Sequence, residues 1–423
     1  MLSLKMNTMA SVIQTACKWV SVIFILFTCY FANAQSYAKC WGKEGELWDK
    51  KRIPDFTEAG YKSGRVPIPH FKAGVSVTSF GAKGDGVTDN TAAFRKAILA
   101  CEQNTALIIP AGVYVLSDTI HISKSGIAIR GAGKDKTTLY LSKGIEELYP
   151  DYGMHNKNQT TWSWSGGIIL FEGDIADIGI ENMTIRFPDS LYGGHNFHER
   201  AYNAIGFANK AHDGWIRNID FRGADIAIWI ERSAHHITAE QWVIQSGPNR
   251  AAQNISGHHA VNIYGGHNLL QYFEFKSRYV HDLSVESEFS VYNVFHSGKG
   301  PDICIDHHNH DQRNNLFTDI DAGLGSRIYV SGGNSTPRGI STNETYWNIR
   351  AERNMEYCDQ FNTNAKHSTN NVQVGIKTIR SSVPGDGDGN WFETIEPVQL
   401  SPANLYLAQL QYHHYKNVFT PYK

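Results

Sequence analysis

From residue 105 onward the chain is a series of short segments in which apolar and polar residues alternate. A period of two is the signature of half-buried strands. The pattern predicts strands at Leu107–Ile109, Gly112–Val115, Thr119–Ile122, Ile127–Arg130 and Thr138–Leu141. It recurs at Ile178–Ile185, Trp215–Phe221, Ala224–Ile230, His235–Ile244, Asn268–Phe275, Asn315–Ile320 and Trp347–Arg350. Helical spacing is clear at Thr91–Cys101, where Ala93, Phe94, Ala97 and Ile98 form one apolar face and Thr88 or Asp89 can cap the start. Asn or His often precedes the apolar pair, and the units at Asn293 and Asn315 lie 22 residues apart, close to one coil of a solenoid. A sandwich or propeller would also give short strands. The amphipathic helix near the start decides for a solenoid, because it suits an end cap on an exposed first coil. The expected fold is all-β: a single-stranded parallel β-helix with an N-terminal capping helix and a short C-terminal helix, Ala403–Leu410, over the other end.

Domain boundaries follow from breaks in this pattern. Residues 1–34 read as a secretory signal: Lys5 and Lys18, an apolar run Trp19–Phe31, then the small-x-small string Ala32-Asn33-Ala34. Residues 35–75, with Trp41, Trp48 and Pro54, read as an irregular arm that packs on the body. Residues 76–383 form the β-helix domain and 384–423 a C-terminal cap or tail.

Composition adjusts this picture in three places. The net charge of −2 becomes −4 once Lys5 and Lys18 leave with the signal, so the chain carries no global footprint for nucleic acid. With no second long apolar run, a secreted, extracellular protein with no membrane association after signal cleavage is expected. The cysteines that remain, Cys40, Cys101, Cys304 and Cys358, allow at most two disulfides. Sequons at Asn158, Asn182, Asn254, Asn334 and Asn343 are candidate glycosylation sites.

Two motifs carry a family resemblance. Val77–Ile98, reading VTSFGAKGDGVTDNTAAFRKAI, and Ile109-Pro-Ala-Gly-Val-Tyr-Val115 resemble the opening of the pectate-lyase-like, right-handed parallel β-helix superfamily. The resemblance implies a right-handed coil over residues 76–380 and carbohydrate as the usual ligand. It does not choose among lyases, hydrolases, epimerases and tailspikes on that fold.

Candidate chemistry is concentrated in residues 258–310, which hold eight of the 19 histidines: His258, His259, His267, His281, His296, His307, His308 and His310. Arg278, Asp282, Asp302 and Asp306 lie among them. His258, Asp282 and Asp306 are spaced 24 and 24, which makes one outward ladder if the local coil has that length. With Val261, Ile263, Leu283, Val285, Ile303 and Ile305 inward, parity turns His258, Asp282, Asp306 and His308 outward. It turns His259, His281 and His307 inward unless a corner intervenes.

A uronate lyase neutralises a carboxylate, removes a proton and protonates the leaving oxygen. The candidates are Arg278 for the first, His281 or His258 as base or acid with His308 nearby, and Asp282 and Asp306 as orienters or calcium ligands. Calcium is the one cofactor so suggested. Asp306–His310 also offers imidazoles for a transition metal. The leading expectation is a secreted polysaccharide lyase on an acidic, uronate-containing polymer. The alternatives are a non-catalytic extracellular-matrix or carbohydrate-binding β-helix, and a glycoside hydrolase on the same fold. Gly131-Ala-Gly-Lys134 lacks phosphate-loop spacing and reads as a turn. Tyr152, Trp162 and Trp164 in the 143–165 insertion are candidate sugar-stacking residues.

Overall fold

The computed structural model describes residues 35–149, 165–192, 200–250, 255–308, 312–329, 342–355, 369–377 and 389–419. The signal segment, Cys358, the sequons Asn158, Asn254 and Asn334, His310 and the aromatics Tyr152, Trp162 and Trp164 lie outside these residues.

Every strand of the body pairs in parallel with the strand one coil before or after it. One seven-stranded sheet runs through Ile120–Ile122, Ile169–Glu172, Asn203–Ala208, Ile226–Ile230, His259–Ile263, His281–Val285 and Ile305–His307, in chain order. The remaining coil strands form a second, continuous set that bends around the core. The bend has a residue-level cause. Asn182, Asn218, Tyr272, Ser297, Asp319 and Asn348 all have φ between 52° and 61°. Left-handed backbone there turns each strand through a corner, a conformation that Asn and Asp accept more readily than other side chains.

Inward residues stack coil on coil. Phe171 lies over Phe207 with ring centroids 5.0 Å apart, and Phe295, Phe317 and Tyr346 stack in register at 4.8 and 5.5 Å. A buried polar ladder runs beside them. Asn268 donates to Asn293 Oδ1, Asn293 to Asn315 Oδ1, and Asn315 Nδ2 to Glu344 Oε1, at 2.9, 3.1 and 2.9 Å. Glu344 N then donates to Asn371, and Asn371 N to Asn390. Each amide thus satisfies turn backbone that water cannot reach. The sequence steps along this ladder range from 19 to 29 residues, which is why the repeat reads as imperfect.

Helix Thr91–Ala100 buries Phe94, Ala97 and Ile98 against Leu107, Ile109 and Ile120 of the opening coils. Its start is held by Asp89, whose Oδ1 accepts from Thr91 N at 3.0 Å. The preceding turn is an Asp85 device: Oδ1 accepts from Val87 N and Thr88 N, which accounts for the GDGVTD string.

The N-terminal arm lies along the outside of the solenoid. Ser36–Tyr37 pairs with Leu400–Ser401 near the last coils, while Tyr61 packs edge-on against Trp215, 5.7 Å between centroids. Trp41, Ile53 and Phe56 share a cluster with Val294, Leu316, Trp347, Val372 and Leu405. The C-terminal helix is longer than expected, Leu405–Phe419, and its first turns pack sideways on this same outer face rather than over an end. Asn404 Oδ1 accepts from Leu407 N, and Gln409 bonds both Pro54 O and Phe56 N. The arm and the helix therefore clamp each other.

Among the described residues no two cysteines are joined; Cys40, Cys101 and Cys304 are buried well apart in the chain. The expected disulfide framework is not found there. Asn182, one of the two described sequons, is half-buried and accepts a hydrogen bond from Asn218 at 2.7 Å. No described helix is long and apolar enough to cross a membrane.

Candidate functional site

The seven-stranded sheet changes character along its length. Its outward row passes from Trp229 to Asn262, Ser284 and Asp306, aligned strand by strand. The local coil step is therefore 22 residues, Ser284 to Asp306, not 24. The proposed ladder of His258, Asp282 and Asp306 does not form. Asp282 stands opposite Cys304 instead, and its Oδ2 accepts from Cys304 N at 2.8 Å.

The six sequence candidates separate into two groups. His258, His281, Asp306 and His308 converge. The ring centroids of His258 and His281 are 5.5 Å apart, and those of His281 and His308 5.4 Å. Asp306 Oδ2 lies 3.0 Å from His308 Nδ1 and 3.5 Å from His281 Nδ1. Arg278 and Asp282 belong to a neighbouring ion cluster. Arg278 Nη2 is 3.3 Å from Asp302, and Arg327 Nη2 is 2.5 Å from Asp282. Asp282 also accepts from Tyr279 N, so it is a buried anchor for the turn. Asp282 and Asp306 are thus held in different clusters.

Three further groups complete the convergent cluster. His259 packs 4.3 Å from His258 and 4.7 Å from His281, centroid to centroid. Its Nδ1 lies 2.8 Å from Ser284 Oγ and 3.1 Å from Glu286 Oε1, and Ser284 Oγ donates to Asp306 at 3.0 Å. Glu286 follows Ser284 by two residues on the same strand path, a parity signal that could have found it. His259 and His281 escape the parity rule because each opens its strand, at the corner where the pleat begins. His307 does obey it, and faces inward toward Phe317 and Tyr346.

The cluster is dry. His258, His259, His281, Glu286 and Asp306 are at most 4% exposed, and the His308 side chain, at 15%, is the member that reaches solvent. Burial pushes the Glu286 carboxyl upward. It pushes Asp306 the same way, but His281, His308 and His259 outweigh it and hold Asp306 well below the ordinary carboxylate range. Burial would lower His308, yet Glu286 and Asp306 raise it to about 9. Asp282 rises to about 6 through burial, with Arg327 opposing. Chemically, the site offers several imidazoles beside carboxylates of opposite tendency, the equipment of proton transfer or of metal ligation.

The parallel coils make this a parallel β-helix protein. Residues 74–184 match the family described as "Rhamnogalacturonase A/epimerase, pectate lyase-like". Over 91 residues, 21% of the chain, it is 38% identical to the preneck appendage protein of Bacillus phage PZA. The phi29 pre-neck appendage protein matches equally, and the match spans 10% of each phage protein's length. An exopolygalacturonase from Thermotoga maritima is structurally similar, with 13% identity, a TM-score of 0.41, and coverage of 74% of this chain and 81% of that one. An endo-xylogalacturonan hydrolase from Aspergillus tubingensis gives 10% identity, a TM-score of 0.45, and coverage of 72% and 92%.

Proposed function

We propose that this chain is a polysaccharide-active enzyme that cleaves an acidic, uronate-containing polymer by acid–base chemistry at the histidine–carboxylate cluster. The observation that carries the reading is convergence. Groups from three consecutive coils, His258 and His259, then His281 and Glu286, then Asp306 and His308, meet in one place. The family match to a rhamnogalacturonase and epimerase description supports the substrate class. In this reading His308 meets the substrate, Asp306 orients it, and His281 and His259 complete the proton relay.

β-Elimination suits the set better than hydrolysis. Hydrolysis needs two carboxyl groups flanking the bond, whereas the member of the cluster that reaches solvent is the imidazole of His308, not Asp306 or Glu286. Arg278 keeps 35% of its side chain exposed beside Asp302 and is the available carboxylate partner. The reading also takes residues 1–34 as a cleaved leader, so the secreted protein should begin at Gln35, which N-terminal sequencing checks.

The test is incubation with a panel of acidic polysaccharides. Elimination gives an unsaturated, UV-absorbing product; new reducing ends without that absorbance give hydrolysis. His308→Gln and Asp306→Asn should abolish whichever signal appears. A second reading, a non-catalytic binding or structural protein, is favoured by the dryness of the cluster. Binding without turnover across the panel, unchanged by His308→Gln, would establish it and overturn the first.

A further inference from the structure

We propose that His258, His259 and His281 bind a divalent transition-metal ion. Each offers one ring nitrogen, and the three nitrogens lie within 4.8 Å of one another. Tetrahedral zinc with bonds of about 2.0–2.1 Å needs ligand nitrogens roughly 3.4 Å apart, so small ring rotations close the site. The backbone makes this meeting possible. His258 precedes the strand that His259 opens, so the two consecutive rings are not forced to opposite faces. His259 and His281 are register partners on adjacent coils.

The surroundings are those of a metal site rather than of a plain core. All three residues are at most 4% exposed. Ser284 and Glu286 engage His259 Nδ1, and Asp306 approaches His281 Nδ1. Carboxylates and hydroxyls in this position fix ring orientation and offset the ion's charge. With Nδ1 of His259 so engaged, Nε2 is the nitrogen that would carry the metal on that ring. Imidazole donors select zinc and its transition-metal neighbours over calcium, which prefers oxygen. Three protein ligands leave a fourth position for water, the arrangement of reactive rather than closed sites.

The inference shares residues with the proposed catalytic cluster, but its readout needs no substrate. Two other sets are close enough to compete, His259–Glu286–His308 and His281–Asp306–His308. His258 belongs only to the proposed set and His308 only to the other two, which makes the test decisive. Purified full-length protein is loaded with Zn²⁺, desalted and assayed for metal, and is separately titrated with Co²⁺ and followed by visible absorption. The expected results are one zinc per chain and tetrahedral cobalt bands in the wild type and in His308→Gln, with both lost in His258→Gln. Loading with Ca²⁺ should leave no retained metal. Wild-type protein without retained zinc or cobalt bands overturns the proposal, whatever the variants' folding. So does a well-folded His258→Gln that keeps both. If the metal assays fail, polysaccharide turnover by the same protein would leave the functional reading standing.

Discussion

His281 Nδ1 stands 3.5 Å from Asp306 Oδ2 across adjacent coils, and the same oxygen lies 3.0 Å from His308 Nδ1 and accepts from Ser284 Oγ. One buried carboxylate therefore balances groups from two coils. Asp306→Asn preserves the shape but removes the charge, leaving the imidazoles uncompensated in a dry site. The expected cost is about 3 kcal/mol, against about 1 kcal/mol for Ser284→Ala. Urea unfolding checks both; equal, small losses would show that Asp306 does not organise the cluster.

Arg327 and Arg278 look interchangeable by type, yet their settings differ. Arg327 is 2.5 Å from the fully buried Asp282 and also donates to Val280 O. Arg278 is more exposed, at 35%, and meets Asp302 at 3.3 Å. Arg327→Ala should cost about 3–5 kcal/mol, because it strands a buried carboxylate. Arg278→Ala should cost less than about 1 kcal/mol. If elimination is the reaction, Arg278→Ala should nonetheless weaken substrate binding. A stability loss for Arg278→Ala that matches Arg327→Ala would contradict this division.

These contrasts show what the sequence could carry. The alternation of apolar and polar residues showed the strands, and the amphipathic helix Thr91–Cys101 pointed to a capped solenoid, because both depend on neighbours in the chain. The Asn293–Asn315 spacing of 22 gave one coil length, and the structure shows these two amides bonded to each other. Most of the site depends on register, which a few residues at a corner reset. A step of 22 rather than 24 moved Asp282 from His258 to Cys304. Arg327 claimed Asp282 from a distant segment that no local spacing connects to it. His281 joined the cluster because parity does not yet hold at the first residue of a strand.

The Asn315 amide is a fully used rung of the ladder. It accepts from Asn293 N and Nδ2 and donates to Ser290 O and Glu344 Oε1, all buried. Asn315→Ala leaves several buried polar groups without partners, each worth about 1–3 kcal/mol. A total loss of about 3 kcal/mol or more is expected, with hydrogen exchange rising locally in the turns at Asn293 and Glu344. A change below about 1 kcal/mol would mean that water or relaxed backbone replaces the amide.

His296 supplies a pH test away from the candidate site. Its ring is buried beneath the C-terminal helix, 5.2 Å from Tyr406, and Nδ1 accepts from Asn404 Nδ2 at 3.1 Å. Protonation would turn that acceptor into a donor facing a donor. Burial lowers the imidazole from 6.5 to about 4, with Asp319 pulling the other way. Between those values the unfolded chain binds the proton and the folded chain does not. Stability therefore falls as pH drops from 6.5 toward 4, and this group adds no slope above that window. The full effect is on the order of 3 kcal/mol. His236, lowered to about 4 by burial with His267 and His235 adding to it, contributes with the same sign. Unfolding midpoints of wild type and His296→Gln at pH 7, 5.5 and 4.5 separate the two sources. The variant should start lower at pH 7 and lose less on acidification, with the C-terminal helix becoming protease-sensitive first in the wild type. A wild-type-minus-variant difference that stays constant with pH would show that His296 does not titrate in this window.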